Sequence, residues 1–102
     1  MKKIVLFGAG VYAKKYKSLL EFLEIEFDYF SDNDSGKYGT VLYGKKVIPP
    51  QELVEMDCSI IISCTHGVQI KQQLEEMGIA DKLLDIRDIY DLFKKKISNI
   101  DI

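Results

Sequence analysis

Two short runs constrain this chain most: KIVLF at residues 3–7 and CSIIISC at residues 58–64. Both are apolar with hardly a break and rich in β-branched residues. Turn formers close each of them, Gly8-Ala9-Gly10 in one case and Thr65-His66-Gly67 in the other. A strand with one face in water alternates polar and apolar side chains, so an unbroken run of this length reads as a strand covered on both faces. Covered strands separated by amphipathic helices make a parallel sheet between two helical layers.

The intervening segments supply those helices. Tyr12, Tyr16, Leu19, Leu20 and Leu23 recur at helical spacing, with Lys14, Lys15, Lys17, Ser18 and Glu21 opposite, which predicts a helix over 11–23. Ile70, Leu74 and Met77 mark another over 68–77, with Gly78 placed to end it. Ile89, Phe93 and Ile97 mark a closing helix over 88–97, whose lysines 94–96 suit the negative end of its dipole. Gln51 to Met56, behind Pro49-Pro50, is a short fourth helix.

EFDYF at 26–30 reads as a second strand, stopped by the turn cluster SDNDSG at 31–36. Val41-Leu42-Tyr43 and Lys46-Val47-Ile48 bracket Gly44-Lys45 as a hairpin with Gly44 at positive φ. Lys82 to Ile86 is a weaker strand. The expected fold is therefore a three-layer, Rossmann-like α/β domain. It has a short parallel sheet of four strands in the order 2-1-3-4, helices on both faces and a small β-hairpin insertion. The 102 residues fill one domain over 1–97, with a frayed tail at 98–102.

Composition removes several functions. The net charge is -2, and acidic residues separate the lysine groups, so no nucleic-acid surface is expected. Cys58 and Cys64 fit neither a CxxC redox pair nor a zinc site, and one His cannot complete a metal set. The four apolar residues between Lys3 and Gly8 are too few for a signal-peptide core. No run approaches the roughly 18 to 20 apolar residues of a membrane span. A reducing, cytoplasmic setting is the expectation.

In the order 2-1-3-4 the chain reverses direction across the sheet between strands 1 and 3, and ligands of such folds bind in the crevice at that point. Gly8-Ala9-Gly10-Val11-Tyr12-Ala13 stands there and matches G-x-G-x-x-G/A in its Ala-ended form. The first Gly serves the turn, the second lets backbone approach a phosphate, and a small residue in the last position lets helix and strand pack closely. The start of the following helix then faces an anion with free N–H groups and a positive dipole end.

Asp32 lies 22 residues after Gly10, the place of an acidic residue that accepts hydrogen bonds from a ribose. Asn33 stands beside it, and any of Asp32, Asn33 and Asp34 can instead serve as a turn residue. Thr65 either caps the next helix or meets a ligand, and His66 is a candidate wall of the pocket. Tyr12 either joins the buried face of its helix or lies over a ligand with Val11. No acid, base or second nucleophile visibly completes a catalytic pair with Cys64.

Three longer stretches, FGAGVYAKKYKSLLE, FDYFSDNDSGKYGTVLYGKKVIPPQEL and CSIIISCTHGVQIKQQLEEMGI, resemble the small Rossmann-like modules of bacterial surface-polysaccharide biosynthesis. Such modules stand at the front of sugar acyltransferases of the left-handed β-helix type. Similar ones are joined to glycosyltransferases, methyltransferases and sugar-nucleotide dehydratases or epimerases. The resemblance runs from about Lys2 to Asp88, and its landmarks are GAG, D-N-D, K-Y-G and G-K-K-V-I-P-P-Q-E-L in that order. It implies that Gly8, Ala9, Gly10 and Asp32 lie near a bound nucleotide-sugar. The acyltransferase members usually read G-x-G-G-H-G where this chain has Val11-Tyr12-Ala13, and hexapeptide repeats are absent here.

The resulting expectation is a nucleotide-binding module for a UDP-type nucleotide-sugar or NAD(P), acting as a domain or partner of a polysaccharide-biosynthesis enzyme such as a sugar transferase. The candidate ligand-binding residues are Gly8, Ala9, Gly10, Val11, Tyr12, Asp32, Asn33, Thr65 and His66. No catalysis is expected of the chain alone, because the fold leaves nothing to hold a second substrate. Two other readings stand beside it. One is a fragment of an NAD-dependent epimerase or dehydratase, which needs a Tyr-x-x-x-Lys pair; Tyr90 and Lys94 have that spacing, but on the last helix. The other is a ligand-free assembly module that forms homo-oligomers through the hairpin or the last helix.

Overall fold

The computed structural model describes residues 2–84 and 86–99. In chain order the elements are β1 (Lys3–Phe7), α1 (Ala13–Phe22), β2 (Tyr29–Ser31), β3 (Val41–Leu42), β4 (Lys45–Ile48), α2 (Glu52–Glu55), β5 (Cys58–Ile62), α3 (Gly67–Glu76) and α4 (Ile86–Ser98). Two 3-10 turns intervene, at Ser35–Lys37 and Ala80–Lys82.

The strands form one sheet in the order β3-β4-β2-β1-β5. The middle is as expected, since β1 lies parallel to β2 on one side and to β5 on the other. The margins correct the four-strand order. The hairpin is not an insertion, because β4 continues the sheet beside β2, parallel to it, with Tyr29 opposite Lys46 and Ser31 opposite Ile48. Val47 and Ile48 explain why: successive side chains point to opposite faces, and both are buried. Such a strand is stable only between two helical layers. β3 pairs antiparallel with β4 through a two-residue turn, Tyr43-Gly44, with φ values of 50 and 78. Two positive φ angles are what the right-handed twist of the flanking strands demands.

At the other margin the strand expected over 82–86 is a single parallel bridge between Ile60 and Leu83. The Ala80–Lys82 turn ends just before it and α4 starts at Ile86, so few residues are left to extend along β5. Asp85, inside that expected strand, and residues 100–102 of the expected tail lie outside the described residues. Ser98, the first residue of that tail, belongs to α4.

Alternation along the central strands sorts the core into two layers. Val5, Phe7 and Ile60 face α2 and α3, packing with Ile48, Leu53, Ile70 and Leu74. Leu6, Phe30 and Ile61 face α1, packing with Ala13, Leu20 and Phe27, and Ile89 of α4 closes against them. Each fully buried Val, Leu, Ile or Phe side chain among these contributes about 1.5–3 kcal/mol. α3 ends as its sequence predicts: Gly78 has φ 75, its N–H donates to the Glu75 carbonyl, and the Ile79 N–H donates to that of Leu74. α1 ends the same way without glycine, holding Glu24 at φ 59.

This order puts α1, which returns from β1 to β2, and α2, which returns from β4 to β5, on opposite faces. The chain therefore reverses between β1 and β5, and the crevice at the carboxyl ends of those strands is the switch point.

Candidate functional site

The Gly-rich turn is stitched to both neighbouring strands. The Gly8 N–H donates to the Ser31 carbonyl at 2.8 Å, and the Gly8 carbonyl accepts from Ser63 Oγ at 2.8 Å. Ser31 and Ser63 are fully buried, and the Ser31 hydroxyl donates onward to the Ile48 carbonyl. Gly8 has φ 133, and a Cβ there would stand 2.9 Å from the Ser63 carbonyl oxygen. Both the backbone angle and the packing thus require glycine. Gly10 is different: its φ is not positive, and a Cβ there would meet Lys37 Nζ at 3.8 Å, an ordinary contact. Glycine at 10 keeps the turn bare rather than making it possible.

Asp32 closes the turn from the side of β2. Its Oδ2 accepts the Ala9 N–H at 2.8 Å, and its Oδ1 accepts the Asp34 N–H at 2.9 Å. Asp32 is therefore both a turn residue and a partner of the Gly-rich loop, while Asp34 caps the 3-10 turn through the Gly36 N–H. That turn delivers Lys37, whose Nζ lies 3.6 Å from Asp32 Oδ2 and 3.4 Å from the Ala9 carbonyl oxygen. Turn, carboxylate and ammonium thus meet at one corner of the crevice. The first turn of α1 carries no acidic residue and no side chain caps it, so its leading N–H groups face no competing carboxylate of their own helix.

The other candidates surround this corner with different fates. Val11 is 93% exposed on the turn. Tyr12 is the N-cap of α1 and half exposed, not core; helical spacing misplaces it because the helix starts one residue later. Asn33 turns away to α3 and makes a reciprocal amide pair with Gln73, at 2.8 and 2.9 Å. Thr65 and His66 are exposed after β5. His66 is the N-cap of α3 and no side chain caps that helix, so Thr65 does not have the capping role open to it. Tyr90 and Lys94 stay on α4, where Nζ rides 5.4 Å above the ring centroid.

Cys64 is half-buried against the turn, its Cβ 3.0 Å from where a Gly8 Cβ would be. Beyond it, beside β5, opens a cavity of about 640 Å³ that Cys64, Lys71 and Arg87 help to line. A second, of about 560 Å³ and mostly apolar, lies between α1 and α4. Neither of these two is lined by the Gly-rich turn. Burial pushes the thiol of Cys58, at the start of β5, above its ordinary value, against a smaller opposing pull from Lys82.

Sequence reasoning places Ser63 in the stretch at the end of its strand without a role, and misses Ser31 and Lys37 as parts of this corner. The K-Y-G landmark contains Lys37, but a lysine among turn formers has no periodicity to show where it points.

Among the described residues no helix is long and apolar enough to cross a membrane. No curated protein matches the chain. The fold is similar to that in the crystal structure of UDP-D-quinovosamine 4-dehydrogenase from Vibrio fischeri. The TM-score is 0.57 at 21% identity, over 78% of this chain and 71% of that one. The family model described as C2185-like, N-terminal, matches residues 1–84, a stretch that holds the Gly-rich turn, Asp32, Lys37 and the end of β5, and the chain belongs to that family.

Proposed function

We propose that this chain is a nucleotide-binding module that takes a diphosphate-bearing ligand, either a UDP-type nucleotide-sugar or NAD(P), as a domain or partner of a bacterial polysaccharide-biosynthesis enzyme such as a sugar transferase. One observation carries the reading: the 2.8 Å bond from the Ala9 N–H to Asp32. It joins the Gly-rich turn to the acidic residue at the switch point, the two elements a dinucleotide or nucleotide-sugar site needs together. The resemblance to polysaccharide-biosynthesis modules supports the ligand class.

In this reading the diphosphate lies at the start of α1, where Gly10 leaves the backbone uncovered. Asp32 takes a ribose hydroxyl. Each carboxylate oxygen has two lone pairs, so the bonds from Ala9 and Asp34 leave room for one more on each oxygen. Thr65 and His66 form the far wall. The work of the chain is binding and orientation of the ligand.

The test is a thermal-shift series on the purified chain with NAD, NADP, UDP, UDP-sugars, CDP and coenzyme A. A ligand at a hundred times its dissociation constant stabilises by about 2.7 kcal/mol, which is more than 10 °C for a domain of this size. A selective shift supports the reading. No shift at millimolar concentrations overturns it in favour of an empty assembly module.

A further inference from the structure

We infer that Lys37 is a displaceable counter-ion that couples the two halves of the ligand: an anion on the Gly-rich turn draws its ammonium away from Asp32 and so opens Asp32 to a ribose. The inference rests on the proposed nucleotide site and concerns how that site discriminates among ligands.

The argument starts from distances. A committed ammonium–carboxylate bond is about 2.7–2.9 Å. Lys37 Nζ stands 3.6 Å from Asp32 Oδ2 and 3.4 Å from the Ala9 carbonyl oxygen, so it hangs between two acceptors and is bound tightly to neither. The lysine side chain is 37% exposed, which leaves its long stem room to move, whereas Asp32 is 17% exposed and held in place by two backbone N–H groups. The base of Lys37 is fixed as well, because the 3-10 turn ends at it and its carbonyl accepts Thr40 Oγ1 at 2.6 Å. What is free to move is the side chain that carries the ammonium, not the backbone. Gly10, 3.8 Å away at its would-be Cβ, is the bare surface it would swing across.

Without an anion, Lys37 shields Oδ2, one of the two carboxylate oxygens that keep a lone pair for a ribose hydroxyl. A phosphate on the turn offers the ammonium a doubly useful partner, with full negative charge and closer approach. A nucleoside lacking phosphate must instead compete with Lys37 for Asp32. Phosphate and ribose recognition are then cooperative, and the module discriminates against nucleosides beyond what the loss of phosphate contacts costs.

The experiment measures dissociation constants of UDP, uridine, NAD and adenosine for the wild type, Lys37→Met and Lys37→Arg, each first shown to be folded by its melting transition. Removing one charge-assisted contact predicts about ten- to hundredfold weaker UDP or NAD binding in Lys37→Met. The matching nucleoside should bind Lys37→Met at least as tightly as it binds wild type, because the competitor for Asp32 is gone. Lys37→Arg should restore most of the diphosphate binding. A purely structural lysine would weaken nucleoside and diphosphate together, and that outcome overturns the inference. So does an unchanged preference for diphosphate over nucleoside in Lys37→Met. If the wild type binds none of the four ligands, the nucleotide site itself falls and the role of Lys37 with it.

Discussion

Lys82, at the edge of the sheet where β5 begins, and Lys37, at the edge where β1 ends, both bring their ammonium groups to backbone carbonyls. Lys82 Nζ donates to the carbonyls of Leu53, Val54 and Met56 at 2.7, 3.1 and 2.6 Å. Those are the last carbonyls of α2 and its exit, where a cation also meets the negative end of the helix dipole. All three donors of that lysine are committed. Among the described residues Lys37 has only its two long contacts. The same side chain is a clasp at one edge and a loosely held charge at the other. The difference teaches that a charged group's job is legible in whether its bonding capacity is used up, more than in whether it has a partner.

The largest predicted effect tests whether the looser edge is merely a poorly built one. Gly8 sits there, yet it is the least replaceable residue of the corner. Gly8→Ala forces a Cβ to 2.9 Å from backbone oxygen at a φ that L residues rarely adopt. Strain and overpacking together should cost about 3 kcal/mol or more, seen as a large fall in the urea midpoint. Gly10→Ala, two residues on, should change stability by less than about 1 kcal/mol. Gly10→Val should stay folded and lose ligand affinity. Equal sensitivity at the two positions would erase the distinction between a turn that glycine makes possible and one that it keeps bare.

Next in size is the clasp. Lys82→Met keeps the stem and removes all three bonds, leaving helix-end carbonyls with no partner in a partly buried place. A loss of about 2–3 kcal/mol is expected, or roughly 10–20 °C in melting temperature, with ligand affinity unchanged. Lys37→Met should do the reverse. Its melting temperature should move by no more than a few degrees, consistent with about 0.5 kcal/mol for a loosely held, partly exposed pair, while diphosphate binding falls. A Lys37→Met variant that melts as low as Lys82→Met would make both lysines clasps and end the comparison.

How much of this was legible in the sequence follows the same division. The centre of the sheet was, because a strand covered on both faces writes itself as an unbroken run, as in KIVLF and CSIIISC. The helices were, because α1 and α3 bury one face at regular spacing. The sequence pattern does not show β4 as part of the sheet, because two lysines precede Val47 and Ile48 in a four-residue strand, and only pairing with β2 reveals that both apolar residues are covered. The last strand failed for the opposite reason: Leu83 and Leu84 look like a strand, but helical turns on either side leave too little chain to extend. At the corner, Gly8 and Asp32 could be named from a motif and a spacing. The bond from the Ala9 N–H to Asp32, and the arrival of Lys37, depend on how β2 and the 3-10 turn lie against β1, a tertiary fact that no local pattern carries.

The smallest effect separates the two edges through their cysteines. Cys58 lies at the edge clasped by Lys82 and is buried, while Cys64 lies half-buried at the edge of the turn. Iodoacetamide on the native protein should therefore label Cys64 and spare Cys58. Burial also raises the Cys58 thiol, so the folded state holds that proton more tightly than the unfolded chain does. Between the unfolded thiol value, about 8.5, and the higher folded one, the native state binds more protons, and stability must fall as pH rises. Below that window the group contributes no pH dependence. The urea midpoint should thus be flat from pH 7 to 8 in this respect and decline toward pH 9.5. Cys58→Ala should start lower, from the smaller side chain in the core, but lose less over the same interval. An identical alkaline slope in Cys58→Ala would mean that the decline belongs to other groups, and that the closed edge owes nothing to the burial of its thiol.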